Sequence, residues 1–344
     1  MKSHSILRIT LVATVVLGAS GAVRADTPAD ELLKKPDDWF RSDVGRASVK
    51  NVLSWQTAHG DWPKNKDTVS RPFSGEGKKP TGTFDNGATT GELRVLARAF
   101  RVTGDESCRQ SFLRGFDHIL EAQYAHGGWP QYFPLSKQYH RHITFNDGTM
   151  IRLLEFLRNA ESGEDFAFLD AARRDAARAA VKRGIECIVK CQIVVNGTPT
   201  VWCAQHHAET LAPVQARSYE LPSLSGAESA GILRFLMSLP EPTPEVVRAV
   251  RAGAAWFDAA KIEGYRYRRS KTEPALSKDS QARPLWARFY EIESNRPIFS
   301  DRDGVAKYDI EEIGGERRGG YTWYGTWGAT VLNDYAKWPF RDKQ

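Results

Sequence analysis

Two short runs carry the side chains best placed for chemistry. Phe84-Asp85-Asn86-Gly87-Ala88-Thr89 and Phe145-Asn146-Asp147-Gly148-Thr149-Met150 lie 61 residues apart, each setting a carboxylate beside an amide just before a helical pattern. Asp85 and Asp147 read as matching positions of two copies. Either acid can serve as a helix N-cap, accepting a backbone N–H of the first turn. If the helix starts converge on one end, the two acids meet the amides of Asn86 and Asn146, and such hard oxygen donors suit Ca²⁺. The loops nearby hold His59, Trp62, Lys64, His126, Trp129 and Tyr132, then His140, Arg141, His142, His206, His207 and Arg217. Aromatic faces beside cations suit sugars bearing carboxylates, and Trp129 is a candidate sugar platform. A Trp-Pro turn can equally be a packing corner. No His-Glu-x-x-His motif accompanies the histidines, so they do not point to a zinc site. Arg217 stands just upstream of a third capped helix start, Leu224-Ser225-Gly226-Ala227-Glu228, where it can be a carboxylate partner or a reacting group. Arg288, Arg296 and Arg302 follow in a stretch that breaks helix, and bidentate guanidinium grips on carboxylates are their expected use if they face the same groove.

Something must bring these loops together, and an internal repeat supplies it. Gln56-Thr-Ala-His-Gly-Asp-Trp62-Pro63 returns 67 residues later as Gln123-Tyr-Ala-His-Gly-Gly-Trp129-Pro130, and Gln192…Gly197…Trp202 is a weaker third copy. Apolar residues at three and four spacings predict helices leading in over 49–56, 108–123 and 171–192, and leading out over 89–100, 149–159 and 228–239. Further helices are expected over 244–260 and 329–335. Helix, ordered loop, helix, repeated around a ring, is mainly α: an incomplete α/α toroid whose long loops gather at one end. Strands should be short and few, chiefly a hairpin of 191–195 with 200–202 about Asn196-Gly197 and a segment near 290–293.

Composition agrees with a folded enzyme-sized chain. The 344 residues hold 41% hydrophobic residues, 10 Trp, 11 Tyr and 16 Phe, enough apolar surface for a large core. Lys2 and Arg8, an apolar run over 9–18 and small residues up to Ala25 read as a secretory signal peptide, 1–25, with a single domain over 26–344. The apolar run falls short of the roughly 20 residues a membrane span needs. The 48 Lys+Arg and 42 Asp+Glu give +6, and the leader removes three basic residues and no acid, leaving +3. That balance, in an exported protein, favours an extracytoplasmic polyanion over nucleic acid, and no protein partner is implied. Cys108, Cys187, Cys191 and Cys203 leave two readings open: one disulfide, such as Cys191–Cys203, or buried small hydrophobes.

The chain resembles the pectate lyases of polysaccharide lyase family ten. The resemblance runs from about Trp39 to Trp338 and rests on six segments in order: Gly60-Asp-Trp-Pro-Lys-Asn65, Thr83-Phe-Asp-Asn-Gly-Ala-Thr89, Gly127-Gly-Trp-Pro-Gln-Tyr132, Ile143-Thr-Phe-Asn-Asp147, Ala216-Arg-Ser-Tyr-Glu-Leu-Pro-Ser223, and Arg288-Phe-Tyr-Glu-Ile with Asn295-Arg-Pro. It implies cleavage of polygalacturonate by Ca²⁺-dependent anti β-elimination, giving 4,5-unsaturated oligogalacturonides. Asp85 and Asp147 would then match acidic metal and substrate positions, and Arg217 the base, its pKa lowered by cations such as Arg288 or Arg302. Two other readings stand beside it: a toroidal glycoside hydrolase with Asp85 and Asp147 as its acid and base, and a non-catalytic polyuronate-binding protein.

Overall fold

Helix starts along the chain are set by short polar side chains. Ser42, Asp105, Asp170, Ser225 and Thr243 each accept a backbone N–H two or three residues on, and Pro244 occupies the first turn of its helix. A computed structural model describes residues 27–76 and 80–342; the expected leader, 1–25, lies outside the described residues. In chain order the helices are α1 (Pro28–Leu32), α2 (Asp37–Arg41), α3 (Asp43–Trp55), α4 (Thr90–Thr103), α5 (Glu106–Glu121), α6 (Thr149–Ser162), α7 (Ala171–Cys191), α8 (Gly226–Met237), α9 (Pro244–Ala259), α10 (Gly315–Gly320) and α11 (Trp327–Ala336).

Their apolar stripes dictate the packing. Helices α4, α6, α8 and α11 follow one another as a row, while α5, α7 and α9 form a second row against it, so α4–α5, α6–α7 and α8–α9 are hairpins of an α/α toroid. The first row buries residues nearly all round, as Leu93, Val95, Leu96, Met150, Leu153, Leu154, Phe156, Ile232, Leu233 and Phe235 show. Helix α3 begins earlier than its apolar pattern suggests, because Ser42 caps it. Helices α1 and α2, which no periodicity announces, pack on α4.

The repeated glutamines and tryptophans hold neighbouring units together in the same way each time. Gln56 Nε2 donates to Gly60 O in its own loop and to Ser111 O in α5. Gln123 does the same to Gly127 O and Ala180 O, and Gln192 to Thr200 O and Ala249 O, at 2.8–2.9 Å throughout. The indoles of Trp62, Trp129 and Trp202 donate to Val52 O, Ile119 O and Ile188 O. Trp286 donates likewise to Phe257 O and is a fourth copy of the corner.

Five short antiparallel ladders occur among the described residues, and three of them tie loops of different units at one end: Ile143–Thr144 with Gln205–His206, Leu224–Ser225 with Phe289–Tyr290, and Trp286–Ala287 with Tyr324–Gly325. The expected hairpin about Asn196-Gly197 is present but shorter, Val194–Val195 pairing with Thr198–Pro199. Both turn residues have positive φ, the geometry that selects Asn-Gly. All four cysteines are buried free thiols, with Cys187 Sγ and Cys191 Sγ 4.0 Å apart on successive turns of α7. The disulfide reading therefore gives way to the buried-hydrophobe reading.

Candidate active site

The loop after each corner tryptophan hands the chain to the helix start of the unit before it. Phe84 N donates to Gln131 O, Phe145 N and Asn146 N to Ala204 O, and Gly226 N to Arg288 O. Gln131, Ala204 and Arg288 each stand two residues after a corner tryptophan, and Lys64 holds that place after Trp62. One repeated backbone position thus presents Lys64, Gln131 and Arg288 to the helix starts, where the acids are.

Those helix starts are 3₁₀ turns, Asp85–Gly87 and Asn146–Gly148, which pack against each other. Their geometry corrects the alignment of the acids. Asn86 (φ 54°) and Asp147 (φ 51°) are the left-handed residues of their turns, a conformation that Asn and Asp tolerate better than other non-glycine residues. Asp85 therefore corresponds to Asn146 and Asn86 to Asp147, so acid and amide exchange places between the copies. Neither acid is a helix cap: no side-chain cap bond is made at either turn or at the start of α4 or α6.

Asp85 is fully buried, and its Oδ2 accepts from Lys64 Nζ and from Gln131 Nε2 at 2.6 Å. Burial alone would lower the Lys64 pKa, but the Asp85 carboxylate outweighs it and holds the ammonium above its usual value. Asp147 keeps 35% of its side chain exposed, accepting from Asn146 Nδ2 at 3.0 Å and from Arg288 Nη2 at 3.3 Å. Arg288 also donates to Glu228, which Ser225 Oγ holds in turn. Glu228 is the third residue of α8, and its backbone N–H is capped by the same Ser225 hydroxyl. Desolvation works against the Arg288 charge, and Glu228, Tyr321 and Asp147 together keep it protonated.

A second line of contacts joins Arg288 to Arg217. The Arg288 guanidinium lies 4.9 Å from the Tyr321 ring, Tyr321 Oη donates to Glu220 Oε1 at 2.8 Å, and Glu220 accepts from Arg217 N at 3.1 Å and Nη1 at 3.4 Å. Desolvation pulls the Arg217 pKa down, but Glu220, Tyr139 and Tyr219 pull it above the ordinary arginine value. The expectation that neighbouring cations lower it fails, because buried Glu220, with Tyr139 and Tyr219, sets the direction of the shift. Arg217, Arg302 and Arg317 all approach the Tyr219 ring, at 6.0, 5.9 and 4.5 Å. His140, in van der Waals reach of Tyr132 and Tyr139, is kept below the usual imidazole pKa by burial and by Lys64 and Arg217.

Two expected site residues do not join this group. Trp129 has no exposed surface and donates its indole N–H to Ile119 O, so it is a packing corner and offers no face to a sugar. Arg296 is exposed, stacked 4.0 Å from the Tyr308 ring, and makes none of the contacts that link Asp147, Arg288 and Arg217. Gln131, Glu220, Glu228 and Tyr321 escaped sequence reasoning as site residues, and Lys64 is named there only as a loop cation with no acid partner assigned. The tryptophan-plus-two spacing could have marked Lys64 and Gln131, and the Ser-x-x-Glu spacing Glu228; Tyr321 comes from a distant, irregular segment that carries no such mark.

Among the described residues no group of three or more His, Cys, Asp or Glu side chains could hold a metal alone. Asp85 Oδ1 and Asn146 Oδ1 are buried acceptors that receive no hydrogen bond. With the Asp147 carboxylate they form a hard oxygen set that fits a cation only if other ligands complete its shell.

The family model for pectic acid lyases matches residues 56–332. A family 10 polysaccharide lyase from Cellvibrio cellulosa is 39% identical, with a TM-score of 0.79 over 91% of this chain and 97% of that one. A mutant of that lyase, solved in complex with trigalacturonic acid, matches with the same identity, coverage and TM-score. No curated protein sequence matches the chain.

Proposed function

Because the chain belongs to the pectic acid lyase family, we propose that this polysaccharide lyase breaks α-1,4-linked polygalacturonate by anti β-elimination, with Arg217 as base and Ca²⁺ as cofactor. The reading rests on one observation above others: Arg288 opposes the Asp147 carboxylate, and the Tyr321–Glu220 contacts link that guanidinium to Arg217. The related lyase complexed with trigalacturonic acid supports an anionic sugar as ligand. Asn86, Asn146, Arg288 and Arg302 are the side chains we assign to substrate.

The chemistry follows from where charge develops. Loss of the C5 proton leaves an electron pair that spreads into the C6 carboxylate as an enediolate, which fixed cations stabilise. Arg288 is such a cation, buried and already oriented by Glu228. Arg217 in its neutral form takes the C5 proton; the C4–O4 bond breaks, the C4–C5 double bond forms, and O4 leaves with a proton from water. At rest Arg217 is protonated against Glu220, so its neutral form is scarce but strongly basic. When bound, Ca²⁺ would add Lewis-acid neutralisation of the substrate carboxylate. Asp147, Asn146 Oδ1 and Asp85 Oδ1 would hold it, with uronate oxygens and waters filling the six to eight places it takes. Asp85 and Asp147 each face a cation, Lys64 and Arg288, which does not suit the acid and base of a hydrolase. We read residues 26–344 as one catalytic unit, exported after loss of 1–25.

The test is ultraviolet absorbance on polygalacturonate with and without chelator. The expected outcome is growth at the wavelength of the 4,5-unsaturated uronate, abolished by chelation and restored by Ca²⁺. Growth indifferent to chelator removes the calcium claim, and new reducing ends without absorbance remove elimination.

A further inference from the structure

Behind the turn Tyr139–Arg141 lies a cavity of about 490 Å³ that the proposed reaction does not use. Tyr139 and His140 of that turn act on Arg217 and Lys64, whereas Arg141 and His142 line the cavity on its other side, with Tyr124, His126, His207 and Glu209. Leu135, Ala125 and Ala208 complete the wall, and Leu135 is an exposed large apolar side chain with no core role. The wall therefore combines apolar surface with one guanidinium and three imidazoles.

The polar groups are unequal. No described carboxylate forms an ion pair with Arg141, although many arginines elsewhere in the described residues are so paired, several of them exposed at the surface. His207 Nδ1 accepts from Glu209 N and Thr210 N, both at 3.3 Å, which leaves Nε2 to face the cavity as the ring's other polar atom. The His142 ring lies 5.7 Å from it. Tyr124 Oη donates to Arg141 O, and burial pushes its pKa up to about 12, so it remains a neutral phenol. Glu209, exposed at the edge, is the one acid on the wall.

We propose that this cavity is a second saccharide site, taking one carboxylate-bearing sugar unit of the polymer, with Arg141 as the carboxylate partner, His126 and His142 as auxiliary donors, and Tyr124 and Leu135 against the ring. The ligand class rests on the polygalacturonate reading. A guanidinium without a carboxylate, imidazoles and an apolar wall match a uronate: the carboxylate completes the arginine fork and the ring's C–H face covers the apolar surface. Burial, His207 and Arg141 all lower the His142 pKa, and an anion beside Arg141 reverses part of that cost. Ligand binding then takes up a proton, so affinity rises as pH falls through the imidazole range. Groups facing the imidazoles are His126, Arg141, His142, His207, Glu209 and Tyr124, of which Glu209 alone opposes the anion.

The experiment follows histidine imidazole signals of the whole protein by NMR, in chelator to stop turnover, during titration with trigalacturonic acid. His126 and His142 should shift, more tightly at pH 5.5 than at pH 8, and Arg141→Ala should weaken this binding about tenfold. In the active enzyme Arg141→Ala should raise KM for polygalacturonate about three- to tenfold with kcat nearly unchanged. A shift of His140 without His126 or His142 overturns the second site and leaves the lyase reading standing. Silence of all three also overturns the second site, and the lyase reading is then decided by the ultraviolet assay alone. Stoichiometric zinc that shifts His126, His142 and His207 together, reversed by chelator, overturns the saccharide site in favour of a metal.

Discussion

Arg217 holds its proton because Glu220 stands beside it, and that pairing has kinetic consequences. In its proposed role as base it must be neutral, and its raised pKa makes the neutral fraction grow tenfold per pH unit throughout the accessible alkaline range. The wild-type kcat should therefore climb with pH without a plateau while the protein stays folded. Glu220→Gln keeps the acceptor for Tyr321 but removes the charge that raises the Arg217 pKa, so its pH–kcat profile should move to lower pH, whereas a merely structural Glu220 would lower kcat at every pH. Arg217→Lys should cost about 10²–10⁴-fold in kcat, the span general-base catalysis usually supplies, with smaller change in KM because Arg288 and Arg302 remain. Near-normal kcat in a folded Arg217→Lys protein would move the search for a base elsewhere. Asp85, Asp147, Arg217 and Arg288 were legible in sequence because they sit in recognisable segments. Glu220 was hidden in plain view: its burial between Arg217 and Tyr321 is a long-range fact that no local spacing encodes.

The helix-loop-helix unit explains what was readable at the next scale up. Periodic apolar residues marked α4, α5, α6, α7, α8 and α9, because each has a buried stripe against a neighbour. The 67-residue repeat was visible because Gln56 and Gln123 make identical clamps and Trp62 and Trp129 identical corners. Trp286 was missed because the ladder Tyr265–Tyr267 with Leu276–Lys278 is inserted before it and stretches the spacing. The Trp-Pro signature misled in one respect: an aromatic repeated in loops was equally compatible with sugar contact, and only burial decides. Gln123→Ala should leave Gly127 O and Ala180 O without their donor, costing about 1–3 kcal/mol in chemical denaturation. Helical content should persist, since the clamp joins helices that α6 and α7 otherwise pack in place. An unchanged midpoint would mean that water replaces the amide at no cost.

Across the whole molecule one buried acid sets a pH dependence of stability. Glu92 in α4 is inaccessible, accepts one bond from Thr68 Oγ1 at 3.0 Å and leaves Oε2 without a partner. Burial raises its pKa to about 7, well above its unfolded value near 4.5. The folded state therefore keeps a proton that the unfolded chain releases; this stabilisation is complete below about pH 4.5 and disappears as pH rises through 7. Glu92→Gln should accordingly be nearly neutral at pH 5 and stabilising by roughly 2–3 kcal/mol at pH 8, read as an increasing gap in Tm between variant and wild type. A gap constant with pH would show that Glu92 is ionised when folded.

The glutamine clamps between units all point one way along the chain. Gln56 reaches forward to α5, Gln123 to α7 and Gln192 to α9, and the helix starts at Phe84, Phe145 and Gly226 wait for Gln131, Ala204 and Arg288. During synthesis each hairpin is thus left with open donors until the next one emerges, and assembly is vectorial, like a zipper whose teeth close only on later arrivals. Lys64 meets Asp85 early, while the guanidinium that opposes Asp147 arrives last, on the loop after Trp286. A nascent chain consequently carries Asp147 without the arginine that opposes it, so this part of the site is completed only when the loop after Trp286 has formed.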